Sequence, residues 1–322
     1  MYNKKGEPLH PPAKARGVRG ACCMNQDGRD STVSDNRPIG VFDSGIGGLT
    51  VLKEIWSALP GESTVYFGDS GRTPYGTKSH DTIVNYSLQN MRFLLSQNVK
   101  MIIIACNTAS AHAYDAVRAQ AGVPVVEVIT PGAAEAVKTT RTGRIGIIAT
   151  RATVTSGIYR VAVEDEAKRV IALGRNTKTL TGLYIEQAAC PLFVSLAEEG
   201  WWDSPISFLA AGEYLKDLKK NQIDTLILGC THYPLLSKTI ADVMGPGTTL
   251  VNAGASVAQR VAEVLGTNHL KNLSGAKAQH TFYTSDDPQM FENVTAPFLG
   301  GDRPSGTKRV NTEVYIGEET LA

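Results

Sequence analysis

Short apolar runs alternate with segments of helical periodicity along most of this chain. The apolar runs are bounded by polar residues, as in strands that are buried on both faces of a sheet. Between the runs, apolar side chains recur every three to four positions, as on one face of a helix, and residues 80–97 are the clearest case. Strands and helices that alternate in this way predict an α/β protein with parallel sheets.

The same pattern predicts the order of the elements. The predicted strands are residues 39–42, 64–68, 100–105, 125–129, 144–149 and 225–228, and the predicted helices are residues 49–58, 80–97, 109–120, 184–189, 207–219 and 235–243, with one more opening at Pro131-Gly132. A weak repeat between residues 39–42 and 145–148 indicates two similar halves. We expect two similar halves, each a mostly parallel sheet flanked by helices. The domain boundaries that we expect are residues 37–131 with 241–322, and residues 132–240.

The first residues of the chain differ from the rest. Residues 1–36 are polar and lack periodicity, which predicts a disordered N-terminal extension. Cys22 and Cys23 fall within it. We expect the folded part to begin with the strand at Ile39.

Two cysteines end matching strings in the two halves. Cys106 ends the string MIIIAC and Cys230 ends the string TLILGC. Both thiols are therefore predicted where a buried parallel strand gives way to a loop, which is where open α/β sheets bind ligands. Free cysteine is often only a small buried hydrophobe, but the polar groups that follow both cysteines are ones that core positions avoid. Two matched thiols predict stereoinversion, in which one thiolate removes a proton from a carbon and the other thiol returns one from the opposite face.

Composition narrows the class of protein. The chain has 322 residues, of which 42% are hydrophobic and 20% charged, as in an ordinary globular protein. The net charge of +1 predicts no general attraction to nucleic acid or to a membrane surface. The five cysteines form no disulfide framework, so we expect a cytoplasmic protein. No metal spacing is present and no predicted crevice loop carries a lysine for pyridoxal phosphate, so we expect no metal and no cofactor.

Polar groups also follow the first two strands. Asp43-Ser44 and a run of glycines follow the first strand, and the glycines miss the dinucleotide-binding spacing. Asp69 follows the second strand, with Tyr75-Gly76 further along the same loop. Glycines let a backbone approach a ligand closely, so both loops are candidates for ligand contacts. The alternative is structural, with Asp43 or Ser44 capping the helix that begins near residue 49.

The groups beside the two thiols suit proton abstraction from an amino acid. A thiolate in a water-poor pocket is a stronger base than one in water. His232 lies two residues after Cys230 and can shift the protonation of that thiol, and Asp43 can do the same for Cys106. Backbone amides and hydroxyls near three further residues are candidates for holding a carboxylate as negative charge builds on it: Asn107, Thr108 and Thr231.

Four strings, in this order and spacing, resemble the aspartate/glutamate racemase family, and within it the members that act on glutamate: VFDSGIGGL, FGDSGRTPYG, ACNTAS and GCTHYP. The resemblance implies cofactor-independent interconversion of L- and D-glutamate, which supplies D-glutamate for peptidoglycan. It also implies two pseudo-symmetric domains with the active site in the cleft between them, a homodimer, and a peptidoglycan precursor as an activator of some members. The segment before Glu198 departs from the family, because Ser195 stands where proline is usual and Ala197 where valine is usual.

The resemblance assigns roles to individual residues. It implies that Cys106 and Cys230 are the catalytic acid/base thiols, that Asp43 and His232 assist them, and that Glu198 is an auxiliary acid. The substrate contacts that we expect, including Asp69 from the loop pattern alone, are Asp43, Ser44, Asp69, Tyr75, Gly76, Asn107, Thr108, Thr231 and His232.

Other interpretations stay open at this point. The same fold serves aspartate and hydantoin racemases and one-thiol decarboxylases, and the presence of two cysteines argues against a decarboxylase. A two-lobed binding protein for a small dicarboxylate would keep the carboxylate contacts without needing two thiols. A hydrolase built on Cys230 and His232 would leave Cys106 unexplained. A metal site on the same two residues would lack a third and a fourth ligand.

Overall fold

The protein is built on two parallel β-sheets. The structure is a computed structural model that describes residues 34–317. Its strands are β1 (Ile39–Asp43), β2 (Thr64–Gly68), β3 (Met101–Ile104), β4 (Val125–Glu127), β5 (Arg144–Ala149), β6 (Tyr184–Ala189), β7 (Thr225–Gly229), β8 (Thr249–Val251), β9 (His280–Thr284) and β10 (Lys308–Arg309). The first lobe carries a six-stranded sheet, β10-β9-β2-β1-β3-β4, and the second lobe a four-stranded sheet, β6-β5-β7-β8. All these pairings are parallel, which confirms the predicted α/β class.

Helices connect the strands and cover the sheets. They are α1 (Leu49–Ala58), α2 (His80–Ser96), α3 (Asn107–Gln120), α4 (Ile129–Thr139), α5 (Arg151–Ser156), α6 (Ile158–Ala172), α7 (Thr177–Thr181), α8 (Leu192–Glu198), α9 (Pro205–Lys220), α10 (Ser237–Met244), α11 (Gly254–Thr267) and α12 (Pro288–Thr295). Hydroxyl caps begin several of them: Ser79 caps α2, Thr150 caps α5 and Ser204 caps α9, each by accepting a backbone N–H of the first turn. Within residues 34–317, no helix is both long enough and apolar enough to cross a membrane.

The two sheets share one strand pattern. The order β2-β1-β3-β4 in the first lobe matches the order β6-β5-β7-β8 in the second. Strands β3 and β7 therefore occupy equivalent places, each beside the first strand of its lobe. Cys106 follows β3 after one residue and Cys230 follows β7 directly, so the two thiols lie at equivalent strand ends.

Burial on both faces explains why these strands are continuous apolar runs. In β3, Met101 and Ile103 join one core cluster whereas Ile102 and Ile104 join the other, because successive side chains of a strand point to opposite faces. All four residues are fully buried. The apolar residues of β3 thus hold the strand between the two core clusters, and Cys106 follows its end.

One predicted element is wrong. Residues 184–189 were expected to form a helix, but they form strand β6, which pairs with β5 along its whole length. Glu186, Gln187 and the two alanines that follow favour a helix on their own. Pairing at the edge of the second sheet overrides this local preference, and only Ile185 of the strand is buried.

The described structure also bears on two expected boundaries. Strand β8, residues 249–251, pairs with β7, so the second sheet continues past the expected domain boundary at residue 240. Residues 34–36 hydrogen-bond to the body, since Asp35 donates its N–H to the Lys271 carbonyl at 3.2 Å and its own carbonyl accepts from Lys100 Nζ at 2.6 Å. Residues 1–33, with Cys22 and Cys23, lie outside the described residues. The division into domains otherwise stays a prediction.

Candidate active site

Cys106 is a buried thiol at the beginning of α3. Its sulfur accepts the Ala109 N–H at 3.4 Å and so caps the helix, and the thiol donates to Ser44 Oγ at 3.6 Å. Burial, and next the negative charge of Asp43, raise the pKa of Cys106 to about 12, although the Ala109 N–H opposes them. A thiolate formed here is therefore a strong base.

Asp43 is a fully buried carboxylate at the end of β1. Its Oδ2 accepts the Gly45 N–H at 3.1 Å, whereas its Oδ1 has no hydrogen-bond partner among residues 34–317. Burial raises the pKa of Asp43, and the nearby His232 works against that rise. A buried polar atom without a partner is costly and rare in folded proteins. The site therefore offers an open acceptor for a hydrogen-bond donor from a ligand.

Cys230 lies beside an imidazole and a carboxylate. His232 Nδ1 is 3.9 Å from the Cys230 sulfur, and His232 Nε2 is 2.9 Å from Glu198 Oε1. Burial alone would lower the pKa of His232, but the hydrogen bonds and charges of Cys230 and Glu198 outweigh burial and raise the pKa to about 10. The imidazole is therefore cationic near neutral pH and can stabilise negative charge on the sulfur.

The thiols are available for chemistry. Cys106, Cys190 and Cys230 are all free and buried, so none of the cysteines within residues 34–317 is held in a disulfide. Cys190 lies just after β6, and its carbonyl accepts from the hydroxyl of Tyr233 at 2.8 Å.

The loop after β1 meets the loop that carries Cys230 along one seam between the lobes. Gly47, in the glycine-rich loop after β1, packs so closely on the second lobe that an added Cβ would lie 2.5 Å from His232 Nδ1. The Thr50 hydroxyl donates to the Thr231 carbonyl at 3.1 Å. Asp43 and Cys106 of the first lobe thus lie on the same seam as Thr231 and His232 of the second.

The residues after Cys106 also contact the second lobe. Asn107 Oδ1 accepts from the hydroxyl of Tyr159 at 2.6 Å. The Thr108 hydroxyl is 2.9 Å from that of Thr150, and an added Cβ at Gly76 would lie 2.7 Å from Thr150 Cβ. The expected contacts Gly76, Asn107 and Thr108 therefore all lie on the seam, and the Thr108 hydroxyl is already committed to the other lobe.

The polar groups of Asp69 and Tyr75 are used inside the first lobe. Both side chains are buried, and the Tyr75 hydroxyl donates to the Asp69 carboxylate. Arg72 Nε also donates to that carboxylate, at 2.8 Å, and Asn90 Nδ2 donates to the Tyr75 hydroxyl at 3.1 Å. This network braces the loop after β2. A substrate contact here stays a prediction, and the main chain of the loop would have to provide it.

Two tyrosines belong to the site although the sequence pattern does not single them out. The Tyr66 hydroxyl donates to the Gly45 carbonyl at 2.9 Å and so supports the loop after β1. Tyr159 holds Asn107 from the other lobe. Both occupy regular apolar positions, Tyr66 within a buried strand and Tyr159 on the stripe that continues with Val163, so the sequence pattern shows them only as core residues.

Comparisons with known proteins agree with this geometry. A model of the Asp/Glu/hydantoin racemase family matches residues 39–261. The glutamate racemase of Geobacter metallireducens is 45% identical over 265 residues, which are 82% of this chain and 93% of the relative. The glutamate racemase of Neisseria meningitidis serogroup A is 44% identical over 269 residues, which are 83% and 94% of the two chains.

Solved structures give the same result. Glutamate racemase from Francisella tularensis, in complex with D-glutamate, superposes with a TM-score of 0.77 at 39% identity, covering 87% of this chain and 100% of the other. Escherichia coli glutamate racemase, in complex with L-glutamate and the activator UDP-MurNAc-ala, superposes with a TM-score of 0.67 at 29% identity, covering 85% and 98%. The two-lobed fold and the positions of its strand ends are thus those of a known class of enzyme.

Proposed function

This chain belongs to the Asp/Glu/hydantoin racemase family, and we propose that it interconverts L- and D-glutamate with Cys106 and Cys230 as its two acid/base groups. Racemisation of glutamate, an isomerase activity, follows from relatives that match nearly the whole folded part of the chain. One observation carries the residue assignment. Two buried free thiols lie at equivalent strand ends of two matching sheets, and each has its own acid/base partners.

The proposed reaction moves one proton to each side of the α-carbon. One sulfur begins as a thiolate and removes the α-proton, which leaves a carbanion and a neutral thiol. The other sulfur begins as a thiol and gives its proton to the opposite face, which leaves a thiolate. The substrate is inverted, the proton count is unchanged, and the two sulfurs have exchanged roles. The buried positions of both sulfurs favour this chemistry, because a desolvated thiolate is a stronger base.

The charged groups beside the two thiols differ in kind. His232, whose pKa is raised to about 10, places a positive charge 3.9 Å from the Cys230 sulfur and is itself held by Glu198. Cys106 instead lies beside the buried carboxylate of Asp43. In the proposed mechanism Asp43 Oδ1, which has no partner within residues 34–317, accepts from the substrate ammonium group. The remaining proposed substrate contacts come from Ser44, Asp69, Tyr75, Gly76, Asn107, Thr108 and Thr231.

The proposed cellular setting follows the relatives. D-Glutamate would serve peptidoglycan synthesis in the cytoplasm, and the enzyme would act as a homodimer without a cofactor. The Escherichia coli relative has UDP-MurNAc-ala as its activator, and we extend activation by such a precursor to this chain. Adding UDP-MurNAc-ala to the pure enzyme should raise its turnover, and an unchanged rate at saturating precursor would contradict this extension.

Incubating the pure protein with L-glutamate in D₂O tests the function. A two-thiol racemase should form D-glutamate with deuterium at Cα, measured by chiral chromatography and proton NMR. L-Aspartate serves as the comparison substrate, and it should react much more slowly. Binding of glutamate without exchange would instead indicate a binding protein, and faster turnover of aspartate would overturn the substrate assignment.

A further inference from the structure

Tyr159 is a second-lobe tyrosine that reaches the residue next to a first-lobe thiol. It lies in the first turn of α6, and its side chain is fully buried. Its hydroxyl donates to Asn107 Oδ1 at 2.6 Å, and Asn107 directly follows Cys106. Asn107 is only 6% exposed, so this hydrogen bond joins two buried side chains across the seam.

The structure gives the Asn107 amide one orientation, with its oxygen and not its nitrogen against the Tyr159 hydroxyl, which donates to it. Burial, and next the negative charges of Glu127 and Cys230, raise the pKa of Tyr159, so the hydroxyl keeps the proton that it donates. The Asn107 amide nitrogen is left with no hydrogen-bond partner among the described residues, and it is not sealed from solvent. A free donor is what a substrate carboxylate needs at this position.

The ring of Tyr159 also contacts the loop of the other thiol. An added Cβ at Gly229 would lie 3.1 Å from Tyr159 Cε2, and Gly229 directly precedes Cys230. On the other side, an added Cβ at Gly132 would lie 3.5 Å from the hydroxyl. One rigid side chain therefore touches the residue beside each thiol.

We propose that Tyr159 is a positioning residue, which fixes the amide of Asn107 with its nitrogen toward a substrate carboxylate and so aligns the substrate between the two thiols. This inference rests on the proposed function. Tyr159 does not touch the reacting atoms and acts through Asn107. If the amide were turned over, its oxygen would face the carboxylate, and a favourable contact would become a repulsive one.

Tyr159→Phe is the direct test, because it removes the hydroxyl and keeps the ring. We expect kcat/KM for glutamate to fall about tenfold, because an amide that is no longer held in place weakens the hydrogen bond of Asn107 to the charged carboxylate. Tyr283→Phe is the matched control, since Tyr283 also donates its hydroxyl to a side-chain amide oxygen, that of Gln97 at 3.0 Å. The control should keep the kcat/KM of the unmodified enzyme. A Tyr159→Phe variant within about twofold of that value would overturn the inference.

A double-mutant cycle separates positioning from a general structural effect. Asn107→Ala should lower kcat/KM by at least as much as Tyr159→Phe. Adding Tyr159→Phe to Asn107→Ala should then cost little more, because the orienting bond has no target left. Two losses that multiply in full would show that Tyr159 acts independently of Asn107, and that result would overturn the proposal.

Asn107→Asp tests the orientation even if Tyr159→Phe fails to fold. It replaces the amide nitrogen with a second oxygen, so it should lower kcat/KM further than Asn107→Ala does. An Asp variant as active as the Ala variant would contradict the proposed orientation. Failure of the proposed function is a separate result, because the unmodified enzyme would then not racemise glutamate at all.

Discussion

Gly47→Ala should lower turnover strongly by displacing Thr231 and His232, with the fold retained. The backbone of Gly47 is not left-handed, so the added methyl group is the whole perturbation. The new Cβ would lie closest to the Thr231 hydroxyl, and it would also lie 2.5 Å from His232 Nδ1 and 2.7 Å from His232 Cε1, whereas ordinary contacts begin at 3.4 Å. Relieving the contact with His232 Nδ1 requires the imidazole or the loop to move by about 0.9 Å, the difference between 2.5 and 3.4 Å.

The expected size of the effect follows from how tightly His232 is held. Its side chain is 4% exposed and its Nε2 lies 2.9 Å from Glu198 Oε1, so a shift of this size disturbs its contacts with both Glu198 and Cys230. A misplacement of about 1 Å can cost about 10²-fold in rate, and we expect kcat to fall by about that factor. Overpacking costs about 1–3 kcal/mol, and each kcal/mol lowers Tm by about 2–4 °C in proteins of some 150–250 residues.

Turnover of L-glutamate and thermal melts measure the two effects. Gly212→Ala is the matched control, because Gly212 lies within α9 and nothing lies within 4 Å of its added Cβ. The control should keep full turnover and gain stability, since alanine is favoured over glycine in a helix by about 1 kcal/mol. A folded Gly47→Ala variant with the turnover of the unmodified enzyme would refute the idea that His232 works while packed against this loop.

Four further predictions follow from the site and the core. Cys106→Ser and Cys230→Ser should each lower racemisation by about 10²–10⁴-fold, because a serine hydroxyl is too weak an acid or base. Chiral chromatography should show the lost turnover and thermal melts the retained fold, and normal activity in either variant would contradict the mechanism. Treatment with a chelator or a carbonyl reagent should leave the rate unchanged, and a rate restored only by zinc would contradict cofactor-free chemistry. The pKa of His232 is raised from 6.5 to about 10 in the folded state, so the contribution of the imidazole to the free energy of unfolding is complete below pH 6.5 and is lost as the pH rises through about 10. Urea melts should show this decline of stability with pH, and the His232→Gln variant should show a smaller decline. Glu62→Gln should cost about 3–5 kcal/mol in denaturant unfolding, since it leaves the fully buried ammonium group of Lys100, 2.6 Å from Glu62 Oε2, without its counter-ion; a near-neutral effect would show that the ion pair is not needed.

The strands could be predicted from the sequence where both faces of the strand are buried, because every position must then be apolar. Residues 64–68 and 144–149 have the predicted bounds, because a strand covered on both faces is a continuous apolar run. Strand β6 has only one strand neighbour and is largely half-exposed, so its sequence carries helix-forming residues without cost to burial. Its strand conformation depends on β5, which lies far along the chain and is not visible in a local window.

The sequence predicts those residues of the site that directly follow a buried strand. Cys106 and Cys230 each follow a buried strand, and that local fact places them at ligand-binding edges. The contacts across the seam could not be derived in this way, because Asn107 and Tyr159 are 52 residues apart and meet only when the lobes meet. Nor does the sequence show that the Asp69 carboxylate accepts hydrogen bonds from Arg72 and Tyr75 of its own loop.

The two thiols have equivalent places but unlike surroundings, and the reaction limits what this difference can do. L- and D-glutamate have equal free energies in solution, so kcat/KM must be equal in the two directions whatever the residues are. The asymmetry can act only on the resting state of the enzyme and on kcat and KM separately. Burial and Asp43 hold the proton on Cys106, whose pKa is raised to about 12, whereas the cationic His232 stabilises negative charge on Cys230. A proton held on one thiol and a cationic imidazole beside the other thus make the two faces of the site chemically unlike, while microscopic reversibility takes the forward and reverse reactions over the same barrier.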